Sequence, residues 1–277
     1  MKKHLIYIIG IAVSLFTACE NIPESERFIK IENPALNDTL DSDDSITILR
    51  TVLLEDYTGQ MCSNCPNAHE QATALHNVYH DRLVIVSMHA GGLATPAPNG
   101  LMQPEGNEYA DKAGVVDYPS GVVNRRTAAM TQLSDWPAKL REESQRPTDV
   151  KLTVEATAVD GKLAVVTKLY SRSNQAAKLQ LWLLEDSIVA LQRLPDASFK
   201  FDYVHNHVFR DAINDTWGED VALVADEETV VEETAFALDA SWKTKDLSVV
   251  AILYNDEGVV QATQAKVSSS ANGNNNN

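Results

Sequence analysis

The sequence predicts an α/β layered domain followed by a domain of antiparallel strands. Between residues 46 and 147, strand-like apolar runs alternate with helix-like runs. Beyond residue 147, apolar and polar residues alternate along short segments that are separated by turn signals. The first pattern is typical of α/β layers, and the second is typical of β-sandwiches. We therefore expect an α/β domain at 46–147 and a β-sandwich-like domain at 148–267.

The N-terminus has the pattern of an export signal. Two lysines precede an apolar stretch at residues 5–16, which is too short to predict a permanent membrane span. Thr17-Ala18-Cys19 resembles the cleavage site of bacterial lipoproteins, in which the cysteine carries the lipid. This resemblance implies a signal peptide at 1–18, lipidation at Cys19 and membrane attachment through the lipid. An ordinary signal peptide with a stray cysteine is the alternative.

Charge and composition narrow the partners of the chain. The 277 residues include 23 Lys and Arg against 39 Asp and Glu, for a formal net charge of −16. Such an acidic chain is repelled by nucleic acid and by anionic lipid headgroups, so we expect no nucleic-acid partner. Residues 19–45 are polar and predict a flexible tether, and the low-complexity segment 268–277 predicts a disordered tail.

The elements of the first domain follow from apolar spacing and from Gly and Pro positions. Residues 90–107 have several Gly and Pro residues and no period, so they predict a loop. The predicted elements are strands at 51–57 and 83–89, a strand near Val122-Val123, and helices at 66–79 and 134–145.

The second domain is predicted to begin with a hairpin. Residues 151–159 and 162–170 alternate around Asp160-Gly161, a strong two-residue turn signal. Residues 206–214 suggest a short helix. Further predicted strands lie at 179–184, 230–238, 247–254 and 259–267.

A Cys-x-x-Cys pair, Cys62-Ser63-Asn64-Cys65, stands between the first predicted strand and the first predicted helix. Pro66 confines the helix start to the pair, because proline is tolerated only in the first turn. A helix N-terminus stabilises a thiolate, which is the reactive form. We therefore expect Cys62 to be the nucleophile and Cys65 the resolving thiol. Asp56 is the candidate proton relay, with neighbouring Glu55 as its competitor.

These residues resemble the thioredoxin superfamily. Tyr118-Pro119, before Gly121-Val122-Val123, resembles the segment in which that superfamily places a cis-proline beside the active-site cysteines. On this resemblance Pro119 is the third site residue. The stretches 55–68, 118–125 and 204–210 together look like the twenty-eight-kilodalton outer-membrane-protein type of lipoprotein. That resemblance implies a thioredoxin-like domain followed by a β-rich domain.

Other interpretations of these residues remain open. The Cys pair is alternatively a structural disulfide, although so short a loop gains little chain entropy from closure. A closed zinc site needs four ligands, and no second Cys pair exists, so histidines would have to complete it. His69, His76 and His80 are expected to form a polar helix face, and His205 and His207 to make structural hydrogen bonds. Trp182, Trp217 and Trp242 are expected to be core residues, and Arg125 and Arg126 receive no role.

The sequence therefore predicts a lipid-anchored thiol–disulfide oxidoreductase of the envelope, located at the outer membrane on its periplasmic or outer face. No bound cofactor or metal is expected, and the sequence leaves any small-molecule ligand unknown. The expected partners are exported proteins or another redox protein that resets the pair. The alternative is a non-catalytic binding or assembly lipoprotein with a fixed disulfide. A metal carrier that uses the thiols with nearby histidines is a third interpretation.

Overall fold

The computed structural model describes residues 47–269. The predicted signal peptide at 1–18, the lipidation site Cys19 and the tether at 19–45 lie outside the described residues. So do residues 270–277 of the predicted tail. Ser268–Ser269, which that prediction also included, form a short strand beside an earlier one.

The described residues form sixteen strands and three α-helices, and most of the regular structure is strand. The helices are α1 (Cys65–Tyr79), α2 (Pro104–Lys112) and α3 (Trp136–Ser144). The strands are β1 (Ile48–Leu49), β2 (Val52–Thr58), β3 (Leu83–His89), β4 (Ser120–Val123), β5 (Pro147–Thr148), β6 (Val150–Val159), β7 (Lys162–Ser171), β8 (Gln175–Glu185), β9 (Ile188–Arg193), β10 (Phe199–His205), β11 (Val208–Ala212), β12 (Glu219–Leu223), β13 (Glu228–Ala237), β14 (Leu247–Asn255), β15 (Gly258–Lys266) and β16 (Ser268–Ser269).

One eight-stranded sheet contains strands from both halves of the chain. Its order is β15-β14-β8-β11-β3-β2-β4, and β12 pairs with β8 beside β11. Strands β2 and β3 are parallel, whereas β4 runs antiparallel to β2. The two halves meet where β11 runs parallel to β3, with Val208 opposite Ser87. The backbone N–H of Ser87 donates to the carbonyl of His207 at 2.8 Å across this junction.

Strand β8 is buried on both faces in the middle of the large sheet. Because successive side chains alternate between faces, Leu181 and Leu183 enter one apolar cluster while Trp182 and Leu184 enter another. Strand β14 alternates in the same way between the two clusters. Burial on both faces accounts for the uninterrupted apolar run in β8.

Three groups of elements cover different parts of the large sheet. A four-stranded sheet, β13-β7-β6-β16, contributes to the apolar cluster that contains Leu181 and Leu183. Helices α1 and α3 pack on one face of β2, β3 and β4 through a cluster that includes Leu54, Ala68 and Trp136. Helix α2 contributes Tyr109 and Ala110 to the cluster that contains Trp182.

The predicted fold class is wrong. We expected an α/β thioredoxin-like domain followed by a separate antiparallel β domain, but strands of both halves share one sheet. They also share a core, in which Leu53 and Val122 of the first half pack with Trp182, Val250 and Val259 of the second. Hydrophobic period identifies strands but does not identify their partners, which explains the error. The residue boundaries of the two domains stay predictions.

Several local elements also differ from expectation. The hairpin of β6 and β7 is confirmed, and Asp160 and Gly161 both have positive φ. The short helix expected at 206–214 is instead strand β11. The loop expected at 90–107 ends inside α2, which begins at Pro104. Strands β9, β10 and β12 were not predicted.

Candidate functional site

The Cys pair lies between the end of β2 and the start of α1. Cys62 and Cys65 form a disulfide, with Cα atoms 5.5 Å apart, and Cys65 is the first residue of α1. Asn64 at the N-cap makes no side-chain hydrogen bond to the helix, and the first turn contains no acidic residue. The first amides of α1 therefore have no side-chain cap, and their dipole favours negative charge at this end.

Residues 59–64, here called the Cys loop, pack closely against a neighbouring turn. A Cβ on Gly59 would lie 2.5 Å from the carbonyl oxygen of Leu93, so only glycine fits this approach without a shift. The backbone N–H of Met61 donates to the same carbonyl at 2.8 Å. These contacts fix the path of the chain into α1.

Pro119 lies at the same end of the strands as the Cys loop. The Tyr118–Pro119 peptide is cis, and the next residue, Ser120, pairs with Tyr57 near the end of β2. Because β2 leads directly into the Cys loop, the strand register brings Pro119 toward the end of the sheet that carries the two cysteines. Its role as the third site residue stays a prediction.

Asp56 is completely buried, and neither of its carboxylate oxygens has a hydrogen-bond partner among the described residues. One of them lies 3.9 Å from Nε2 of His69, which is four residues after Cys65 and so on the same side of α1. Burial raises the pKa of Asp56 to about 8. A buried, unpaired carboxyl with a shifted pKa is typical of functional sites.

Glu55 lies on the opposite face of β2 from Asp56, since neighbouring strand residues alternate. Its carboxylate accepts a hydrogen bond from Nε of Arg125 at 3.1 Å. Burial raises the pKa of Glu55, and Arg125 acts against that shift. Arg125 also donates to Gln180 at 2.7 Å, and its guanidinium lies 5.2 Å from the ring centroid of Trp182. Sequence reasoning assigned no role to Arg125 and so missed this position.

The hairpin of β9 and β10 covers the Cys loop. Nε2 of Gln192 donates to the carbonyl of Cys62 at 2.9 Å, and the N–H of Arg193 donates to the carbonyl of Gln60 at 2.8 Å. Cys62 is 3% exposed and Cys65 is 0% exposed. Sequence reasoning missed this cover because the hairpin is more than a hundred residues away in the chain.

A cavity of about 370 Å³ opens between α1, β3 and the β10–β11 connection. Four histidines line it, and we call it the His cavity: His69, His89, His205 and His207. The expectation that His69 belongs to a solvent-exposed helix face is wrong. Its side chain is mostly buried, and its two ring nitrogens lie 3.0 Å from Thr58 Oγ1 and 3.0 Å from the Tyr203 hydroxyl.

A second cavity, of about 700 Å³, lies around the Glu55–Arg125 pair. Its walls include the rings of Tyr109, Trp217 and Tyr254. Trp182 lies behind it in the core and is 0% exposed, as expected of a core residue. Within residues 47–269, no group of three or more His, Cys, Asp or Glu side chains is arranged to hold a metal ion.

The fold and the site define a class of β-rich protein with a Cys-x-x-Cys disulfide at a helix start. The family model described as outer membrane protein Omp28 matches residues 106–271, which is more than half of the chain. The chain therefore belongs to the Omp28 family of outer membrane proteins. This membership associates it with the outer membrane of the cell envelope. Within the described residues, no helix combines the length and apolarity needed to cross a bilayer.

The chain resembles several solved structures. HBP35 of Porphyromonas gingivalis has a TM-score of 0.67 at 15% identity, and the match covers 81% of this chain and 78% of that one. Protein AGR_C_4864 from Agrobacterium tumefaciens has a TM-score of 0.50 at 18% identity, over 78% of this chain and 94% of that one. At these identities the likeness concerns the fold alone. No curated protein matches the chain.

Proposed function

We propose that this protein is a thiol–disulfide oxidoreductase of the cell envelope that acts on exported proteins or on a redox partner. The proposal rests mainly on the Cys62–Cys65 disulfide at the uncapped start of α1. It is supported by the buried and unpaired carboxyl of Asp56, which lies 3.9 Å from His69, one turn of α1 after Cys65. Cys-x-x-Cys thiols at such a position have lowered pKa values in redox proteins.

The proposed reaction exchanges one disulfide for another. In the reducing direction, the Cys62 thiolate attacks a disulfide sulfur of the substrate, and one substrate thiolate leaves. The Cys65 thiolate then attacks the Cys62 sulfur and releases the second substrate thiolate. The substrate gains two electrons while the Cys62–Cys65 disulfide forms. The oxidising direction is the same sequence in reverse.

The ionised fraction of Asp56, about a tenth at pH 7 for a pKa of about 8, is proposed to accept the proton of Cys65 as the mixed disulfide resolves. With a pKa of about 8, this carboxyl is close to the ordinary thiol value of about 8.5, so proton transfer between them is nearly balanced. Glu55 is a poorer candidate, because it pairs with Arg125 on the other face of β2.

Changing Cys62 to serine is expected to lower the rate of exchange with a test protein disulfide by about 100-fold or more, because a serine hydroxyl does not ionise at neutral pH. The measurement is the rate of disulfide reduction in a dithiothreitol-coupled assay. Ser63→Ala is the matched control, since it changes the same loop and keeps both thiols. Equal rates for the parent and Cys62→Ser would refute the oxidoreductase proposal.

A non-catalytic scaffold with a fixed disulfide is the second candidate. The burial of both cysteines beneath the β9–β10 hairpin favours it. The reduction potential of the pair separates the two candidates. A value below about −300 mV fits a structural bridge, whereas one between about −120 and −270 mV fits exchange.

Lipid attachment at Cys19 is proposed as the membrane anchor. We expect cells grown with labelled palmitate to incorporate the label into the parent protein and into Cys62→Ser, but not into Cys19→Ala. The anchored protein is expected in the outer-membrane fraction, and Cys19→Ala in the soluble fraction, because one lost lipid anchor removes the main attachment. Label in Cys19→Ala would contradict this anchor site.

A further inference from the structure

His89 and His205 are buried, and their rings meet edge to face at the wall of the His cavity. Each is 2% exposed, and the two ring centroids are 5.4 Å apart. His89 ends β3 and His205 ends β10, so two separate elements bring the rings together. Nothing in the proposed exchange reaction uses either residue.

All four ring nitrogens of this pair lack a hydrogen-bond partner among the described residues. The backbone of Ser87 lies near His89, and that of Leu191 lies near His205, but neither contact has hydrogen-bonding geometry. An unpaired buried polar atom has a free-energy cost of about 1–3 kcal/mol. Buried polar groups in native proteins are almost always paired, so these nitrogens call for a ligand.

We propose that His89 and His205 bind one divalent transition-metal ion in the His cavity, with water completing its coordination. Imidazole nitrogen suits Zn²⁺, Ni²⁺ and Cu²⁺. With metal–nitrogen distances of about 2.0–2.1 Å, two rings on one tetrahedral ion have centroids about 5 Å apart. The observed separation is close to that value.

The neighbouring residues define the limits of this site. His69 is a wall and not a ligand, because Thr58 and Tyr203 occupy both of its ring nitrogens. His207 also lines the cavity, but its Nδ1 lies 3.5 Å from the Asp186 carboxylate. The proposed site therefore has two protein ligands, and no group of three His, Cys, Asp or Glu side chains is arranged to hold a metal among residues 47–269. The cavity of about 370 Å³ has room for the ion and its waters.

The chemistry of the pair favours a cation over an anion. Burial lowers the pKa of His89 well below its ordinary value and lowers the pKa of His205 to about 4. Both rings are therefore neutral at pH 7, and a neutral imidazole offers a lone pair to a metal. A protonated pair, which would attract an anion, is disfavoured by the same burial.

The test is Zn²⁺ binding by the full-length protein that carries Cys62→Ser and Cys65→Ser. These changes remove both thiols of the pair, so the result does not depend on the proposed redox function. Equilibrium dialysis at pH 7 is expected to show one Zn²⁺ per chain. His89→Ala or His205→Ala, added to this background, is expected to weaken binding by at least about tenfold, because even outer-shell changes cost about 10- to 100-fold.

His80→Asn is the matched control, because His80 is an exposed histidine at the end of α1 with positive φ, which asparagine tolerates. Circular dichroism checks that each variant is folded. Should an alanine variant not fold, electron paramagnetic resonance of the Cu²⁺-loaded parent replaces it, and coupling to two imidazole nitrogens is expected. The proposal is overturned if no Zn²⁺ binds, if both alanine variants bind it as the control does, or if the Cu²⁺ spectrum shows only oxygen ligands.

Discussion

Asp56→Asn is expected to make the protein more stable, and the gain is expected to grow with pH. In the folded protein the Asp56 pKa is about 8, against about 3.9 in an unfolded chain. Between these values the native state holds a proton that the unfolded state has lost. The free energy of unfolding of the parent therefore falls as pH rises, by about 1.4 kcal/mol per pH unit.

Asparagine has no such proton, so the difference between Asp56→Asn and the parent isolates this effect. We expect little difference near pH 4 and a gain of at most about 6 kcal/mol at pH 8 and above. Urea unfolding at several pH values between 3 and 9 measures it. The buried histidines change the stability of both proteins in the same direction below pH 6.5, so they largely cancel in the comparison.

Asp186→Asn is a control for which the opposite pH dependence of stability is expected. Burial acts to raise the pKa of Asp186, but hydrogen bonds from Lys266 and from the His207 backbone lower it overall. A carboxylate with a lowered pKa stabilises the fold above its unfolded pKa and loses that contribution as pH falls. Asp186→Asn should therefore lose stability at pH 7 and recover toward the parent near pH 3. A pH-independent difference for Asp56→Asn would contradict a buried, protonated Asp56.

Trp182→Ala is expected to destabilise the whole chain by about 3–5 kcal/mol. Its side chain is 0% exposed, its ring lies 4.9 Å from that of Tyr109 and 5.5 Å from that of Phe209, and its Nε1–H donates to the Tyr109 hydroxyl at 3.0 Å. The change leaves a large cavity in the core that the two halves of the chain share. We expect a single unfolding transition that includes both halves.

The measurement combines urea unfolding with proteolysis followed by mass spectrometry, so that cleavage in residues 47–147 and 148–269 is followed separately. Trp242→Ala is the control, since this partly buried tryptophan packs at the edge of a different cluster. It should cost clearly less than Trp182→Ala. Cleavage of the second half alone, at a lower urea concentration than the first, would show that the halves unfold independently.

Strands with one solvent-facing side were predictable from the sequence, and the architecture was not. In β6 and β7 apolar and polar residues alternate, and Asp160-Gly161 marks the turn between them. Residues 179–184 predicted a strand, but the unbroken apolar residues Leu181–Leu184 contain no information about which strands lie beside them. Pairing of β11 with β3 depends on contacts between distant residues, and single-sequence periodicity does not record these.

The local part of the candidate site was also predictable. Cys62, Cys65 and Asp56 are close in sequence, and spacing together with Pro66 was enough to place the disulfide at the start of α1. The remainder required the fold. Gln192 reaches Cys62 from a hairpin that follows the apolar strand β8, and His205 meets His89 only because β11 joins the large sheet.

The shared core has a consequence for how the chain reaches its native state. Leu53 and Val84 lie near the beginning of the described residues. They pack in one cluster with Val259 and Ala262, which lie near the end of the described residues. Synthesis proceeds from the N-terminus, so the early segments are made long before their last packing partners exist. Final packing must then wait until β15 has joined the large sheet, and a chain interrupted before that strand would keep part of its interior open to solvent.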